Sequence, residues 1–383
     1  MDKTNKNPNV PNLRFPLFID NWKLQSINSL LSFKNGINAD ANKYGKGIKY
    51  ISVGDILNNV YINYENIKGL VNIDESILNN YSVTYGDILF QRSSETPEDI
   101  GRTNVYLDND KVATFGGFVI RGKKIGVYNP LFFHYLLKSP SSRKSIMRLG
   151  AGAQHYNIGQ ESLRCLSFYF PQLFEQEKIA NLLFKIDARI QTQIKIIEAY
   201  SSLMNSICVQ LISKKDENTT IEQCLNCNCS TIKESDLNET DYGNYPVYGA
   251  NGYIRSICTY QEDKTSIGII KDGAGVGKIQ KLKGKYSILG TMNYLTAKDH
   301  YNIDYLFYAL KTKSLKKYVV GSGIPHIYFR DYKLEKLYIP NDATKINKIV
   351  ALLDSINDYI GIEKEHLDRL NKTKKYLLKN MFC

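Results

Sequence analysis

Few stretches of this 383-residue chain combine side chains of the right type at a spacing that could do chemistry. KDGAGVGK (271–278) has the glycines and lysine of a phosphate cradle, whose backbone N–H groups would hold a polyphosphate. It lacks the four-residue gap between glycines, and Ile279 stands where a Ser or Thr would ligate magnesium, so it reads as a turn or a close backbone approach. SETPEDIGR (94–102) gathers Glu95, Glu98 and Asp99. Metal-dependent hydrolysis needs such carboxylates clustered with a lysine around magnesium, and no convincing partner strand is evident. His155 and His326, two of only five histidines, form no metal-like pair such as two His four apart on a helix. CLNCNC (224–229) has ligand-like cysteine spacings, but zinc needs a fourth ligand and usually a second knuckle. Only Cys258 follows at moderate distance. Seven cysteines, an odd number, read as free thiols rather than a disulfide framework. No catalytic residue, metal ligand or bound cofactor is assigned, and a binding protein is expected.

The charge balance says what such a protein would bind. Net charge is +12, which favours a polyanionic partner, most often nucleic acid. The basic residues are not gathered on one amphipathic helix, so a membrane surface is not expected. No apolar run of about 18 residues is present, and MDKTNKNPNVPNLRF has no signal-like apolar core. The expected location is the cytoplasm. NPLF (129–132) resembles the Asn-Pro-Pro-aromatic motif of amino-methyltransferases, but Leu131 replaces the second Pro and no Gly-rich cofactor loop lies upstream.

The elements that must carry these residues come in two copies. Apolar residues at steps of three and four predict long helices over 176–212 and 346–382. KIANLLFKIDARI (178–190) aligns with KIVALLDSINDYI (348–360), so that Ile179, Leu183, Ile186 and Ile190 meet Ile349, Leu353, Ile356 and Ile360. Gaps at Glu363 and Lys374 weaken the centre of the second stripe. Helices of nearly 40 residues would run about 55–60 Å, too long to bury their stripes on one small domain. The two stripes are expected to face each other, antiparallel, as a coiled-coil spacer. Before each helix lie strand-like runs: IKYISVGDI, GDILFQR, VATFGGFVIRG and LSFYFP, then YPVYGANGYIRSI, TSIGIIKDG, KYSILGTMNYLTA and KLEKLYIP. Each region adds a local helix, near 129–149 and 303–320. GAGAQHYNIGQESLRCLSFYFP (150–171) and GSGIPHIYFRDYKLEKLYIP (321–340) both open Gly-x-Gly and place a His five residues after the first Gly. This is an internal repeat.

LRFPLFIDNW (13–22), VTYGDILFQRSS (83–94), QHYNI (154–158) and FPQLFEQEKIANLLFKIDARI (170–190) resemble the specificity subunit of type I restriction–modification systems. The second copy departs from the pattern, since NDATKINKIVALLDSIN lacks the Glu-Gln pair. The resemblance implies an α+β chain of two strand-rich target recognition domains in pseudo-twofold arrangement, separated by two long antiparallel helices. The expected limits are 1–172 for the N-terminal segment and first recognition domain, 173–213 for the central spacer helix, 214–340 for the second recognition domain and 341–383 for the C-terminal spacer helix. It implies a non-catalytic reader of a bipartite, asymmetric sequence in double-stranded DNA. Two methyltransferase subunits would join it, with motor-nuclease restriction subunits, and S-adenosylmethionine, ATP and magnesium would belong to those partners. Lengthening a helix by about a turn would widen the gap between half-sites.

Arg and Lys reach guanine edges or phosphates, and Asn and Gln suit adenine. Candidate DNA contacts on Gly-flanked turns and strand ends are Arg92, Ser93, Ser94, Arg102, Thr103, Gln154, His155 and Tyr156 in the first region. In the second they are Lys271, Lys278, Asn293, Tyr294, His326 and Arg330. The rival readings are a coiled-coil scaffold that binds DNA without reading it and a self-contained methyltransferase.

Overall fold

A computed structural model describes residues 9–152, 155–213, 216–237, 243–273 and 275–383. The chain forms two compact units, Met1–Gln193 with His366–Cys383, and Ile194–Glu365.

In the first unit, Leu31–Asn35, Val119–Lys124, Ile88–Gln91 and Thr103–Val105 form a four-stranded sheet in that order, antiparallel throughout. Central Ile88–Gln91 is buried at every position, whereas edge strand Leu31–Asn35 begins by alternating buried and exposed, as one covered face requires. A three-stranded sheet orders Gly69–Val71, Tyr44–Ile51 and Thr114–Phe115, with the last pair parallel. Lys23–Ser26 pairs with Ser167–Phe170 to close the unit. The second unit repeats this plan. Its four-stranded sheet orders Leu225–Cys229, Met292–Ala297, Ser266–Ile270 and Ile279–Leu282. Its three-stranded sheet orders Gly252–Ile257, Tyr245–Gly249 and Ser287–Ile288, again with the last pair parallel. Thr219–Thr220 pairs with Lys336–Leu337.

Local signals trim several expected elements. The strand in IKYISVGDI stops at Ile51, because Ser52 and Asp55 form a capping box that starts the helix Val53–Asn58. The single helix expected near 129–149 is two, Pro130–Lys138 and Pro140–Met147, since Pro140 ends the first and Ser139 caps the second. In the second unit, Ile303–Lys311 is capped by Asn302 and followed by a 3₁₀ turn, Leu315–Tyr318.

The long helices are Leu173–Ile212 and Ala343–Asn380. Within the first unit, Ile179 and Leu183 share a core with Trp22, Phe132, Phe170, Met381 and Phe382. Within the second, Ile349, Leu353 and Ile360 share a core with Met204, Cys208, Tyr305 and Tyr308. Each stripe therefore begins on the core of its own recognition region, with the end of the other helix packed into that same core. The two helices meet there and farther along, as where the Tyr200 and Tyr359 rings lie 4.6 Å apart. The stripes face each other as expected, and each also packs on a strand-rich region. Ile190 is buried, and Ile186 and Ile356 are half-buried. The expected gap at Lys374 has a use: its ammonium pairs with Asp187, a buried carboxylate that also accepts from the Tyr135 hydroxyl at 2.8 Å. Tyr308 donates likewise to Asp354 on the second long helix.

No helix among the described residues is long and apolar enough to cross a membrane.

Candidate nucleic-acid interface

In the first unit the chain after Ile88–Gln91 meets the Gly-x-Gly loop. Ser93–Ser94 pairs antiparallel with Tyr156–Asn157, placing Ser93 opposite Asn157 and Ser94 opposite Tyr156. The loop closes on itself through reciprocal Ala151–Asn157 backbone bonds of 3.0 and 2.9 Å. Gly152 turns it with φ of 136°, where an added Cβ would lie 2.0 Å from the His155 carbonyl oxygen, so glycine is required. Arg92 receives the Ile158 N–H at its carbonyl (3.0 Å), and its guanidinium donates to the Gly117 carbonyl (3.2 Å). Arg102 is exposed beside this strand, its carbonyl accepting from Gln91 N–H (2.8 Å) and its guanidinium paired with Asp99 (2.6 Å).

The second unit builds the same frame. Lys271 receives the Ile327 N–H at its carbonyl (2.9 Å), and Lys278 receives the Ile270 N–H (3.0 Å). Val320 and His326 exchange backbone bonds of 2.9 and 2.8 Å around Gly321, whose φ is 97°. Asp272 lies opposite His326. Gly273 N–H donates to the Pro325 carbonyl (2.9 Å), fastening KDGAGVGK to the Gly-x-Gly loop. KDGAGVGK itself joins two antiparallel strands and turns back at Gly277, φ 78°, as its reading as a turn expects.

These bonds fix the register of the repeat. Arg92 corresponds to Lys271, Arg102 to Lys278, Ser93 to Asp272, and Asn157 to His326. The likeness between His155 and His326 at equal distance from a first glycine is thus misleading. His155 is exposed at the tip of its loop, whereas His326 takes the cross-strand position that Asn157 holds in the first unit. Asn157 and Asp272 were missed by sequence reasoning. Aligning the buried Ile158 with the buried Ile327, rather than the histidines, would have found them.

The structure separates the other candidates. Ser94, Thr103 and Asn293 are 7%, 4% and 5% exposed. Asn293 lies inside the four-stranded sheet opposite Ile269 and Cys229, and Tyr294 packs on Tyr286 and Met292. Both lie within the strand Met292–Ala297 rather than on the loop, Asn293 buried and Tyr294 half-buried. Thr103 lines a cleft of about 280 Å³ shared with Arg102, Lys138 and Arg143. Burial, joined by the Lys374 ammonium, pushes Lys138 down to about 8. Burial, joined by Arg102, pushes Arg143 down to about 10. Tyr156 is half-buried, and Arg330 is exposed with its guanidinium 4.7 Å from the Tyr328 ring centre. Gln154 lies outside the described residues.

The motifs beneath the loops are structural. Asn129 of NPLF caps its helix by accepting from Phe132 N–H at 2.9 Å. Asp87 of YGDI accepts from the N–H groups of Thr84 and Lys124, while burial pushes its carboxyl above the usual range. Glu175 accepts from Arg14 through two 2.7 Å bonds and from the Trp22 indole N–H, and Gln176 bridges Pro171 and Asn129. At the second junction, which lacks Glu-Gln, Asn218 clamps both backbone groups of Ile339 and Tyr305 donates to the Tyr338 carbonyl. No disulfide joins the cysteines among the described residues, and burial pushes the Cys227 thiol up to about 12. No group of three or more His, Cys, Asp or Glu gathers as a metal site among the described residues.

Two strand-rich regions of one topology, each handing over to a long helix and each presenting two cations beside a Gly-x-Gly loop, define a duplicated α+β binding protein. A family model for the type I restriction modification DNA specificity domain matches residues 19–199 and again 214–372, and the chain belongs to that family. It is 33% identical over 124 residues to the type I restriction enzyme MjaVIII specificity subunit of Methanocaldococcus jannaschii; the match spans 31% of this chain and only 28% of that protein. Its fold is similar to the crystal structure of the type I restriction-modification system S subunit from M. genitalium, with a TM-score of 0.64 at 19% identity over 98% of this chain and 99% of that one. A second solved structure, concerning complex assembly and conformational transition of the type I R-M system, matches with a TM-score of 0.52 at 12% identity over 93% of this chain and 96% of that one. At these identities the likeness is one of fold.

Proposed function

We propose that this chain is the DNA-reading subunit of a type I restriction–modification complex. Each unit reads one half of a bipartite target in double-stranded DNA. The observation that carries this reading is the duplicated frame with a cation at the same two positions, Arg92 and Arg102 in one copy, Lys271 and Lys278 in the other. Because the loop residues around that frame differ between copies, the two half-sites differ. Arg330, His155 and Tyr156 extend the contact surface. The recognition domains end near 172 and 340, where the long helices take over as spacer elements.

The chain acts without catalysis of its own. Two methyltransferase subunits methylate adenine with S-adenosylmethionine, and restriction subunits add ATP- and magnesium-dependent translocation and cleavage, all in the cytoplasm. A scaffold that binds DNA without reading it has no need for two differently furnished copies of one loop frame.

The test is co-expression with the cognate methyltransferase and mapping of methylated adenines across a genome. A split, asymmetric motif that disappears when this chain is deleted is expected. A continuous motif, or methylation indifferent to the deletion, overturns the reading.

A further inference from the structure

The register of the two loop frames separates what the units share from what they do not. Shared are the cations: Arg92 and Lys271 directly after the strands Ile88–Gln91 and Ser266–Ile270, and Arg102 and Lys278, whose carbonyls accept from the Gln91 and Ile270 N–H groups and which are exposed. Sequence-independent holding of a phosphate backbone asks for the same charges in both copies. Not shared is the cross-strand pair beside them, Ser93 with Asn157 in one unit and Asp272 with His326 in the other. Both pairs are at least partly solvent-accessible, and both sit where a Gly-turned hairpin meets the strand. The Ser93 hydroxyl donates to the Asn157 side chain, so that amide is held in a defined orientation. In the second unit, Asp272 pairs with Lys271 at 3.1 Å, and His326 Nδ1 lies 3.1 Å from the Ile324 carbonyl, to which it donates when protonated there.

Building on the DNA-reading function above, we propose that these two cross-strand pairs determine which bases each unit selects, while the paired cations hold the backbone. The chemistry of each pair names its target. An Asn amide presents a donor and an acceptor side by side, the complement of the adenine major-groove edge. An Asp carboxylate accepts from the cytosine amino group, and a His imidazolium, with Nδ1 donating to the Ile324 carbonyl, keeps Nε2–H for the acceptors of the paired guanine. The first unit therefore favours an A·T pair at this position of its half-site, and the second a C·G pair.

The experiment moves the second unit's pair into the first. S93D/N157H is co-expressed with the methyltransferase and its methylated sites are mapped beside wild type. One half-site should lose its preference by about tenfold or more at one or two bases, with the other half-site unchanged. If methylation is lost altogether, the purified complex selects duplexes from a random pool, and the same change confined to one half-site is expected. A variant that does not co-purify with the methyltransferase is replaced by N157A, which alters an exposed side chain. An unchanged motif from an intact variant complex overturns the assignment of these pairs. Failure of the underlying function reads differently, because the wild-type complex would then give no split motif.

Discussion

Arg14, Trp22 and Glu175 show how a surface-looking motif does buried work. Glu175 is 2% exposed, and its carboxylate takes both the Arg14 guanidinium and the Trp22 indole. Removing one partner of such a pair strands the other charge away from water. Glu175→Ala should cost the first unit about 3 kcal/mol, read by chemical denaturation, whereas the exposed Glu161→Ala should cost little. Lys138 carries a pH signature. Its value of about 8 lies below the ordinary 10.5, mainly through burial. Between those values the unfolded chain holds a proton that the folded chain has released, so this group's contribution to stability rises with pH across that window. Relative to wild type, Lys138→Met should show a flatter dependence of the denaturation midpoint between about pH 8 and 10. Lys374, Asp187 and Arg102 act on the same ammonium, Lys374 and Arg102 lowering its value and Asp187 raising it.

At the level of elements, the long helices were legible because each of their contacts recurs within four residues along the chain. The period alone located Leu173–Ile212 and Ala343–Asn380 to within three residues at each end. The sheets were legible only as runs. Which strand pairs with which is decided by contacts far apart in sequence, as when Ile88–Gln91 meets Thr103–Val105 on one side and Val119–Lys124 on the other. Asn293 illustrates the cost: in sequence it resembles a strand-end reader, yet its strand is central in the sheet and buries it. The loop was harder still. A Gly-x-Gly pattern fits a hairpin in more than one register, and only the backbone bonds to Arg92 and Lys271 show that Asn157, not His155, matches His326. The Glu-Gln pair was legible as a motif, while its absence at the second junction left Asn218 unforeseen as the clamp.

For the whole molecule, duplication makes a quantitative claim about charge. The chain carries a net charge of +12, but a general excess of lysine and arginine would not single out two positions per unit. If Arg102 and Lys278 each neutralise one phosphate, replacing either with alanine removes about one released counterion, so the slope of log K against log salt falls in magnitude by roughly 0.9 per substitution. The two residues belong to different units, so their effects should add. Binding of the complex with its methyltransferase to a duplex carrying the mapped target, across a salt series, should therefore give equal shifts for Arg102→Ala and Lys278→Ala. The double variant should show about twice either shift, roughly 1.8 in slope. Base preference should survive in all three, because phosphate contacts carry no sequence information. A double variant no weaker than either single one would mean that only one copy of the frame touches the backbone, and the duplication would then need another explanation.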